Sequence, residues 1–295
     1  MPGPKIAVIG LGATGGAVLW QLARRGINVI GIEQFDLGHD RGSSHGVTRV
    51  IRNVHFENPS YSVLMERACA LWRELENASN RKLLRLTGLV EIGAPSGALI
   101  RGTLAGAKKD APREQLDAKA LMRRYPAFRL PKAFVGVLQP DGGFIEAADA
   151  LDAMIGLAKA HGAEVRTGTK VSAVEPAATG VRIVTSHGEM AADGAIIAAG
   201  PWMRSLLPEQ KLPLTVTRQV VGWFEPRQPA LFAAGRFPVF LMETPHGHHY
   251  GFPAYGGMGV KIARHHHLNE AVDPNTYDRM VSARDEAAIR APLAE

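Results

Sequence analysis

The sequence predicts an α/β protein that begins with a nucleotide-binding βαβ unit and continues into a mixed α+β part. Two observations predict the first unit: the turn Gly10-Leu11-Gly12-Ala13-Thr14-Gly15 follows the apolar run 6–9, and the next apolar run, 27–32, ends at Glu33. A third observation predicts the other part, because short β segments follow one another after residue 212 without an intervening helix.

The residues of the glycine turn each have a physical task in such a unit. Gly10 permits the tight turn, Gly12 lets the backbone approach a pyrophosphate, and Gly15 lets helix and strand pack closely. The helix N-terminus supplies amide groups and a positive dipole to the phosphates. Glu33, twenty-one positions after Gly12, is placed to accept a hydrogen bond from an adenosine ribose hydroxyl. Together these features predict a nucleotide cofactor.

Composition limits the class of protein. The 295 residues are 46% hydrophobic and 21% charged, which is typical of a soluble globular protein with two domains. The net charge of +6 is interspersed and forms no basic stripe with aromatic residues, so we expect an anionic small molecule as partner and no nucleic acid. Asp193 interrupts the longest apolar stretch, 190–203, and residues 5–19 lack a secretory cleavage pattern. We therefore expect a cytoplasmic protein with no membrane partner.

Periodicity and end signals predict the helices. Residues 61–78 form an amphipathic helix, because their apolar residues recur at helical spacing: Leu64, Ala68, Leu71 and Leu75. Further helices are predicted at 117–125, which Pro126 ends, at 148–161, with Gly162 at the C-cap position, and at 285–291. The segment 94–113 is rich in Gly, Ala and Lys, and its weak periodicity predicts no element.

Runs rich in β-forming residues predict the remaining strands, at 86–92, 164–174, 180–185, 191–199, 215–224, 239–244, 248–252 and 260–263. The strand 191–199 stops at Gly200-Pro201-Trp202, a second candidate edge of the cofactor cleft. The last four strands predict an antiparallel sheet in a separate domain. Between the first unit and the first long helix, the polar segment 41–52 is predicted to be a loop that runs into a short element.

Several sequence blocks resemble the flavin-dependent amine oxidases of the monomeric sarcosine oxidase and N-methyl-tryptophan oxidase family. The blocks are Gly-Leu-Gly-Ala-Thr-Gly-Gly at 10–16, Glu-Gln-Phe-Asp at 33–36, Arg-Gly-Ser-Ser-His-Gly at 41–46 with Thr48, Arg49 and Arg52, Gly-Pro-Trp at 200–202, Arg-Gln-Val-Val-Gly at 218–222, and Tyr-Gly-Phe-Pro at 250–253 leading to Lys261. The glycine block is generic. The 41–52 block and the block from Tyr250 to Lys261 are specific to this family.

The resemblance implies FAD as the cofactor and an FAD-binding Rossmann-like domain of the glutathione-reductase and hydroxybenzoate-hydroxylase type. It implies two segments for this domain, 1–84 and 143–214, and a mixed α+β substrate domain formed by 85–142 and 215–295. The backbone near Val171 would touch the adenine. The implied cofactor-binding residues are Gly10, Gly12, Thr14, Gly15, Glu33, Gln34, Ser43, Ser44, Val171, Gly200 and Trp202.

The resemblance also implies a set of catalytic residues: His45, Arg49, Arg52, Tyr250, Lys261 and His265. The first three would lie near the flavin ring, with Arg52 at the substrate carboxylate. Lys261 would lie on the other flavin face, where dioxygen reacts, because a fixed ammonium stabilises the superoxide anion as it forms. A guanidinium suits a carboxylate because its planar fork can bind both oxygens. Without the resemblance, Arg49 and Arg52 would be interpreted as a solvated pair, and alternation would say only that Lys261 points away from its strand neighbours.

Two groups of residues could suggest other chemistry. Six of the 11 histidines fall at 246, 248, 249 and 265–267, but tandem loop histidines seldom have the fixed geometry that a metal needs. We therefore expect no metal and interpret most of these histidines as solvent-facing. Cys69, the single cysteine, excludes an internal disulfide framework and is expected to pack in or near the core, because nothing local lowers its pKa.

The sequence departs from the family pattern at its end. Family members attach FAD through a cysteine beyond the lysine block and carry a later Gly-Ser-Gly-His-Gly-Phe-Lys-type segment that supplies a second cation for the substrate. Neither occurs before Glu295, and Cys69 is not equivalent to that cysteine. We expect a chain that lacks the closing part of the flavin domain, with non-covalent, weakly retained FAD and little or no amine oxidase activity.

The function that the resemblance implies is oxidation of a secondary amine with a carboxylate, such as an N-methyl amino acid, to an imine, with dioxygen reduced to hydrogen peroxide. One alternative is a flavin dehydrogenase or deaminating amino-acid oxidase of the same superfamily. The others are a non-catalytic flavin-binding remnant and a nicotinamide dehydrogenase.

Overall fold

A computed structural model describes residues 3–58, 60–106 and 112–293. The α-helices within these residues are α1 (Ala13–Ala23), α2 (Tyr61–Ser79), α3 (Ala98–Gly106), α4 (Ala118–Arg124), α5 (Ala147–Ala160), α6 (Met203–Leu206) and α7 (Ala283–Arg290). The strands are β1 (Lys5–Ile9), β2 (Asn28–Ile32), β3 (Thr48–Ile51), β4 (Leu84–Arg85), β5 (Leu89–Gly93), β6 (Glu114–Asp117), β7 (Val135–Gln139), β8 (Gly143–Glu146), β9 (Glu164–Arg166), β10 (Val171–Pro176), β11 (Val181–Thr185), β12 (Gly188–Ala192), β13 (Gly194–Ile197), β14 (Val221–Phe224), β15 (Val239–Thr244), β16 (Gly247–Phe252) and β17 (Val260–Arg264).

A four-stranded parallel sheet, in the order β13-β1-β2-β9, forms the centre of the predicted nucleotide-binding unit. Side chains alternate across this sheet, so Val8 packs in the cluster that includes residues of α1 and α5. Its neighbours Ala7 and Ile9 pack on the other face, against the antiparallel sheet β10-β11-β12. The result is three layers, with helices, parallel sheet and antiparallel sheet in that order.

The second large sheet has seven strands in the order β14-β17-β16-β15-β5-β7-β6. The predicted antiparallel pairing of β14, β15, β16 and β17 is confirmed. Strand β15 also pairs in parallel with β5, which joins this late sheet to β5, β6 and β7 from the middle of the chain. A smaller antiparallel sheet, β3-β8-β4, lies in the segments predicted for the flavin domain except for Arg85, the last residue of β4. The two-domain division with its boundaries stays a prediction.

Two predicted strands prove to be pairs of strands in different sheets. The segment 164–174 divides at Gly168, whose φ of +60° redirects the chain between β9 and β10. The segment 191–199 divides at Asp193, whose carboxylate accepts a hydrogen bond from the Lys5 backbone N–H at 2.6 Å. Both predictions were wrong in this respect, because alternation along a strand carries no information about which sheet the strand joins. The segment 215–224 is also shorter than predicted and is a strand only as β14.

The predicted long helices are confirmed, with shifts at their ends. In α2 the apolar stripe is buried at Leu75 but not at Leu64, which is 64% exposed. The capping box of Ser282 and Asp285 starts α7 before its predicted first residue. The segment 94–113 contains α3, which its weak periodicity did not predict, and residues 107–111 of that segment lie outside the described residues.

Candidate active site

The turn between β1 and α1 is crowded at each of its three glycines. Gly10 has a φ of +89°, and a Cβ there would lie 2.5 Å from the Ala198 carbonyl oxygen. A Cβ on Gly15 would lie 1.8 Å from the Gly10 carbonyl oxygen, which is the close approach of helix and strand expected for this position. A Cβ on Gly12 would lie 2.9 Å from Ser44 Oγ, which accepts a hydrogen bond from the Ala13 N–H at 2.8 Å.

Glu33 is fixed against this turn at the end of β2. Its side chain is buried, with 5% of the residue exposed. One carboxylate oxygen accepts a hydrogen bond from the Leu11 N–H at 2.8 Å, and the other accepts one from the Phe35 N–H at 3.2 Å. A carboxylate has about four acceptor positions, so capacity remains for the hydroxyl groups of a ligand.

A cleft of about 490 Å³ opens from the turn, within the size range of cofactor sites. Ten of the eleven predicted cofactor-binding residues line it, namely Gly10, Gly12, Thr14, Glu33, Gln34, Ser43, Ser44, Val171, Gly200 and Trp202. The exception is Gly15, which packs against Gly10 instead. The Gly200–Trp202 turn forms the second edge of the cleft, and the Trp202 indole N–H donates to Asn275 Oδ1 at 2.8 Å.

A second cavity of about 680 Å³ adjoins the first. The two share residues of the 42–46 loop and Pro201 in their walls, so they lie side by side with this loop between them. All six predicted catalytic residues line the second cavity: His45, Arg49, Arg52, Tyr250, Lys261 and His265. They come from β3 and its flanking segments on one side and from the β16 and β17 region of the seven-stranded sheet on the other.

Lys261 lies on β17 and is buried, with 7% of the residue exposed. Its Nζ donates to the carbonyl oxygen of Thr48 at 3.0 Å and lies 3.2 Å from the Thr48 hydroxyl. The ammonium also lies 4.5 Å from the centre of the Phe252 ring. Burial, together with the nearby Arg49 charge, lowers the pKa of Lys261 from 10.5 to about 8. The protonated form still predominates at neutral pH.

Arg49 binds backbone carbonyl groups rather than carboxylates. Its guanidinium donates to the carbonyl oxygens of Ser43 at 2.8 Å, His45 at 2.5 Å and Thr48 at 2.9 Å. Burial lowers its pKa below the usual value. His45 Nδ1 lies 2.6 Å from the Gly42 carbonyl oxygen. These contacts hold the 42–46 loop at the junction of the two cavities.

Arg52 lies between two carboxylates. One terminal nitrogen donates to Glu57 Oε1 at 2.5 Å, and the other lies 3.5 Å from Glu91 Oε1. The guanidinium also lies over the Phe56 ring, 5.4 Å from its centre. Glu57 is partly exposed, whereas Glu91 is fully buried. Arg52 is therefore a partly buried cation that faces the cavity.

Tyr250 and His265 complete the cavity wall. Burial raises the pKa of the Tyr250 hydroxyl, which the Arg49 charge opposes. Burial lowers the pKa of His265, and the neighbouring His266 lowers it further. Both shifts favour the neutral forms of these side chains.

The histidine-rich segments differ from expectation. His249 and His267 are buried and His248 and His265 are partly buried, so the interpretation of most of them as solvent-facing was wrong. His249 Nε2 bonds to the Ala288 carbonyl oxygen at 3.1 Å, and His267 Nε2 bonds to Asp285 at 2.7 Å. They attach α7 to the sheet. Across residues 3–58, 60–106 and 112–293, no group of three or more His, Cys, Asp or Glu is arranged to hold a metal ion.

Sequence reasoning missed two buried polar residues beside Arg52, namely Glu91 on β5 and Gln139 on β7. The signal for Glu91 was a charged residue within the apolar run Leu89-Val90-Glu91-Ile92. Such a residue is buried only when it is paired. Burial raises the pKa of Glu91 to about 7, against the lowering effects of hydrogen bonds from neighbours and of the Arg52 charge.

The sequence profile of FAD dependent oxidoreductases matches residues 5–293. The chain belongs to this family. It is 34% identical to the monomeric sarcosine oxidase of Bacillus sp. strain B-0618, over 98% of this chain and 76% of that protein. It is also 34% identical to the N-methyl-L-tryptophan oxidase of Salmonella dublin, over 88% of this chain and 69% of that protein. The open form of NikD, an amino acid oxidase essential for nikkomycin biosynthesis, superposes with a TM-score of 0.84 at 26% identity, covering all of this chain and 77% of that one.

An FAD-dependent oxidoreductase needs a site for the whole dinucleotide, and the described residues fit one. The glycine turn would accept the pyrophosphate at the N-terminus of α1, where every added Cβ would meet another atom within 3 Å. The Glu33 carboxylate lies at the end of β2, as a ribose contact requires, and the cleft adjoins the cavity that Arg52 and Lys261 line. None of the helices described is long and apolar enough to cross a membrane.

Proposed function

We propose that this FAD-dependent oxidoreductase oxidises a secondary amine that carries a carboxylate, in particular an N-methyl amino acid. The amine loses two electrons and two protons to form an imine, dioxygen takes them up to form hydrogen peroxide, and water hydrolyses the imine to a primary amine and formaldehyde. The named activities of the sarcosine and N-methyl-tryptophan oxidases support this substrate class.

The observation that carries the proposal is the group of cations that lines one cavity. The cavity beside the cofactor cleft is lined by Arg41, Arg49, Arg52, Arg218 and Lys261, and its wall also includes the apolar side chains Leu241 and Phe252. A cavity with several cations and apolar side chains in its wall fits an anionic substrate with a small hydrophobic part.

The protein would contribute binding and electrostatics. Arg52 would bind the substrate carboxylate, which would replace Glu57 as a partner of the guanidinium. The neutral forms of Tyr250 and His265 at the cavity wall would suit an uncharged amine. Lys261 would hold its positive charge where an anion forms from dioxygen. When bound, FAD supplies the electron acceptor for this chemistry.

The test compares an N-methyl amino acid with its carboxamide in a peroxide assay of the flavin-loaded protein. The acid should be the better substrate, and Arg52→Ala should remove that preference while Arg166→Ala, at an exposed ion pair, should leave it unchanged. Equal turnover of acid and amide by the parent protein would contradict the carboxylate assignment. Reduction of a dye without peroxide formation would indicate a dehydrogenase instead.

A further inference from the structure

Two buried polar side chains, neither of which lines the cavity, lie next to Arg52 and the backbone that follows it. Glu91 is 0% exposed and Gln139 is 1% exposed. Glu91 Oε1 lies 3.5 Å from Arg52 Nη1, and Glu91 Oε2 accepts a hydrogen bond from Gln139 Nε2 at 3.1 Å. Glu91 pairs in register with Leu241, which lines the cavity, so the carboxylate belongs to the sheet that forms the cavity floor.

Gln139 connects this carboxylate to the backbone that carries Arg52. Its Oε1 accepts hydrogen bonds from the backbone N–H groups of Asn53 at 3.1 Å and Val54 at 3.0 Å. These are the two residues that follow Arg52 in the chain. The side chain of Arg52 and the backbone just after it are therefore held by one network from neighbouring strands.

Helix α3 holds the same segment from another side. A Cβ on Gly102 would lie 2.4 Å from the Phe56 carbonyl oxygen, and a Cβ on Gly106 would lie 2.8 Å from the His55 carbonyl oxygen. The helix therefore lies in direct contact with the backbone of the 52–56 segment. Thr103, between these glycines, is fully buried, and its hydroxyl donates a hydrogen bond to the Leu99 carbonyl oxygen at 2.8 Å within the helix.

Fold stability does not require a carboxylate at this place. An apolar pair of similar volume on two neighbouring strands would avoid the cost of removing a charge and an amide from water. The polar pair instead places a fixed acceptor next to the guanidinium and fixes the adjoining backbone, which is the arrangement that a positioned binding group needs.

We infer that Glu91 and Gln139 are positioning residues that aim the Arg52 guanidinium at the substrate carboxylate. The inference rests on the proposed function, which assigns that carboxylate to Arg52. Glu57, which is partly exposed and lines the cavity, is the partner that the substrate would replace, whereas Glu91 would stay bonded to the guanidinium in both states.

The test uses acetate as a non-reactive carboxylate and acetamide as its uncharged counterpart, with binding to the flavin-loaded protein followed by the flavin absorption spectrum. Glu91→Gln and Gln139→Leu should each raise the dissociation constant of acetate about tenfold, as expected for a lost hydrogen bond in a charged network. Acetamide binding should not change. Glu76→Gln is the matched control, because Glu76 accepts hydrogen bonds from the backbone of Leu83 and Leu84, away from the cavity.

Arg52→Ala separates the two proposals. If this variant keeps the parental preference for acetate over acetamide, the proposed carboxylate site is wrong. If it loses the preference while Glu91→Gln and Gln139→Leu bind acetate as tightly as the parent or more tightly, only the positioning role is overturned. An equal loss of acetate and acetamide binding would show a purely structural role and would also overturn it. If either Glu91→Gln or Gln139→Leu fails to fold, the other variant still tests the positioning role, because the two substitutions break different bonds of the network.

Discussion

Lys261 on β17 donates a 3.0 Å hydrogen bond to the backbone carbonyl oxygen of Thr48 on β3. The bond joins the seven-stranded sheet to the small sheet beside the cofactor cleft. It also fixes an ammonium in a buried position next to Arg49, where its pKa falls to about 8. A cation held under these conditions reduces the stability of the folded state, and this cost can be measured.

Lys261→Met should raise the free energy of unfolding at pH 7, by on the order of 1–3 kcal/mol, because it removes a buried charge whose pKa is lowered by folding. In the parent, the unfolded state binds more protons than the folded state between the folded pKa of about 8 and the ordinary value of 10.5. The free energy of unfolding of the parent should therefore rise relative to that of the variant as pH rises through that window. Urea unfolding at pH 7 and pH 10 measures both effects.

Lys119→Met, at an exposed position on α4, is the control for this prediction. It should change neither the stability nor its pH dependence. If the stability difference between parent and Lys261→Met is the same at pH 7 and pH 10, the lowered pKa of Lys261 is wrong.

The same Lys261→Met substitution should slow the reaction with dioxygen. Loss of a preorganised charge raises the barrier by about 3 kcal/mol. The measurement is stopped-flow mixing of the reduced, flavin-loaded protein with oxygenated buffer. Reoxidation at the parental rate would remove Lys261 from the proposed oxygen reaction.

Gly12→Val should weaken FAD binding. The backbone of Gly12 is extended, so valine fits its conformation, but a Cβ there would approach Ser44 Oγ to 2.9 Å at the N-terminus of α1. The side chain would occupy the path of the pyrophosphate. Flavin fluorescence quenching gives the affinity, and Gly156→Ala on α5, where no atom lies within 4 Å of the new Cβ, should bind FAD like the parent. Unchanged affinity in Gly12→Val would exclude the turn as the phosphate site.

FAD bound to this chain should be released by acid precipitation. Cys69 is the only cysteine of the sequence, and it lines neither cavity. Its thiol lies 3.4 Å from Asn53 Oδ1, and burial raises its pKa, which disfavours the nucleophilic thiolate. Mass spectrometry of the precipitated protein should find no flavin adduct. A flavin attached to Cys69 would show that the cofactor position is misassigned.

Asp285→Asn should lower the free energy of unfolding by about 3–5 kcal/mol, as for other buried ion pairs that lose one partner. Arg218 binds both oxygens of Asp285, at 2.8 and 3.1 Å, and Ser282 and His267 bind the same carboxylate. These bonds hold the pKa of Asp285 far below its usual value. Its contribution to stability is therefore complete above the ordinary pKa of 3.8 and is lost as pH falls below it.

The control for this substitution is Asp152→Asn, because Asp152 forms an exposed ion pair with Arg81. This substitution should lower the free energy of unfolding by at most about 1 kcal/mol, as measured by chemical denaturation. Equal effects of the two substitutions would mean that the buried network does not stabilise the attachment of α7.

The sequence by itself determined the nucleotide-binding unit, because its signals are local. The period of the apolar runs decides strand or helix, and the absence of a Cβ at Gly10 and Gly15 decides how tightly the turn can close. The resemblance to a known family also identified six residues that the structure brings to one cavity. Their chemical roles stay predictions.

The tertiary structure alone decided which elements meet. Strand β5 pairs with β15, whose sequence lies about 150 residues further on, and the segments 164–174 and 191–199 each divide between two sheets. The alternation of apolar and polar residues along one strand carries no information about such pairings, because they follow from burial of apolar surface contributed by distant segments. The burial of Glu91 next to Arg52 and of His267 against Asp285 has the same origin. A side chain's partner, and with it the pKa and the role of that side chain, depends on residues that only the folded chain brings close.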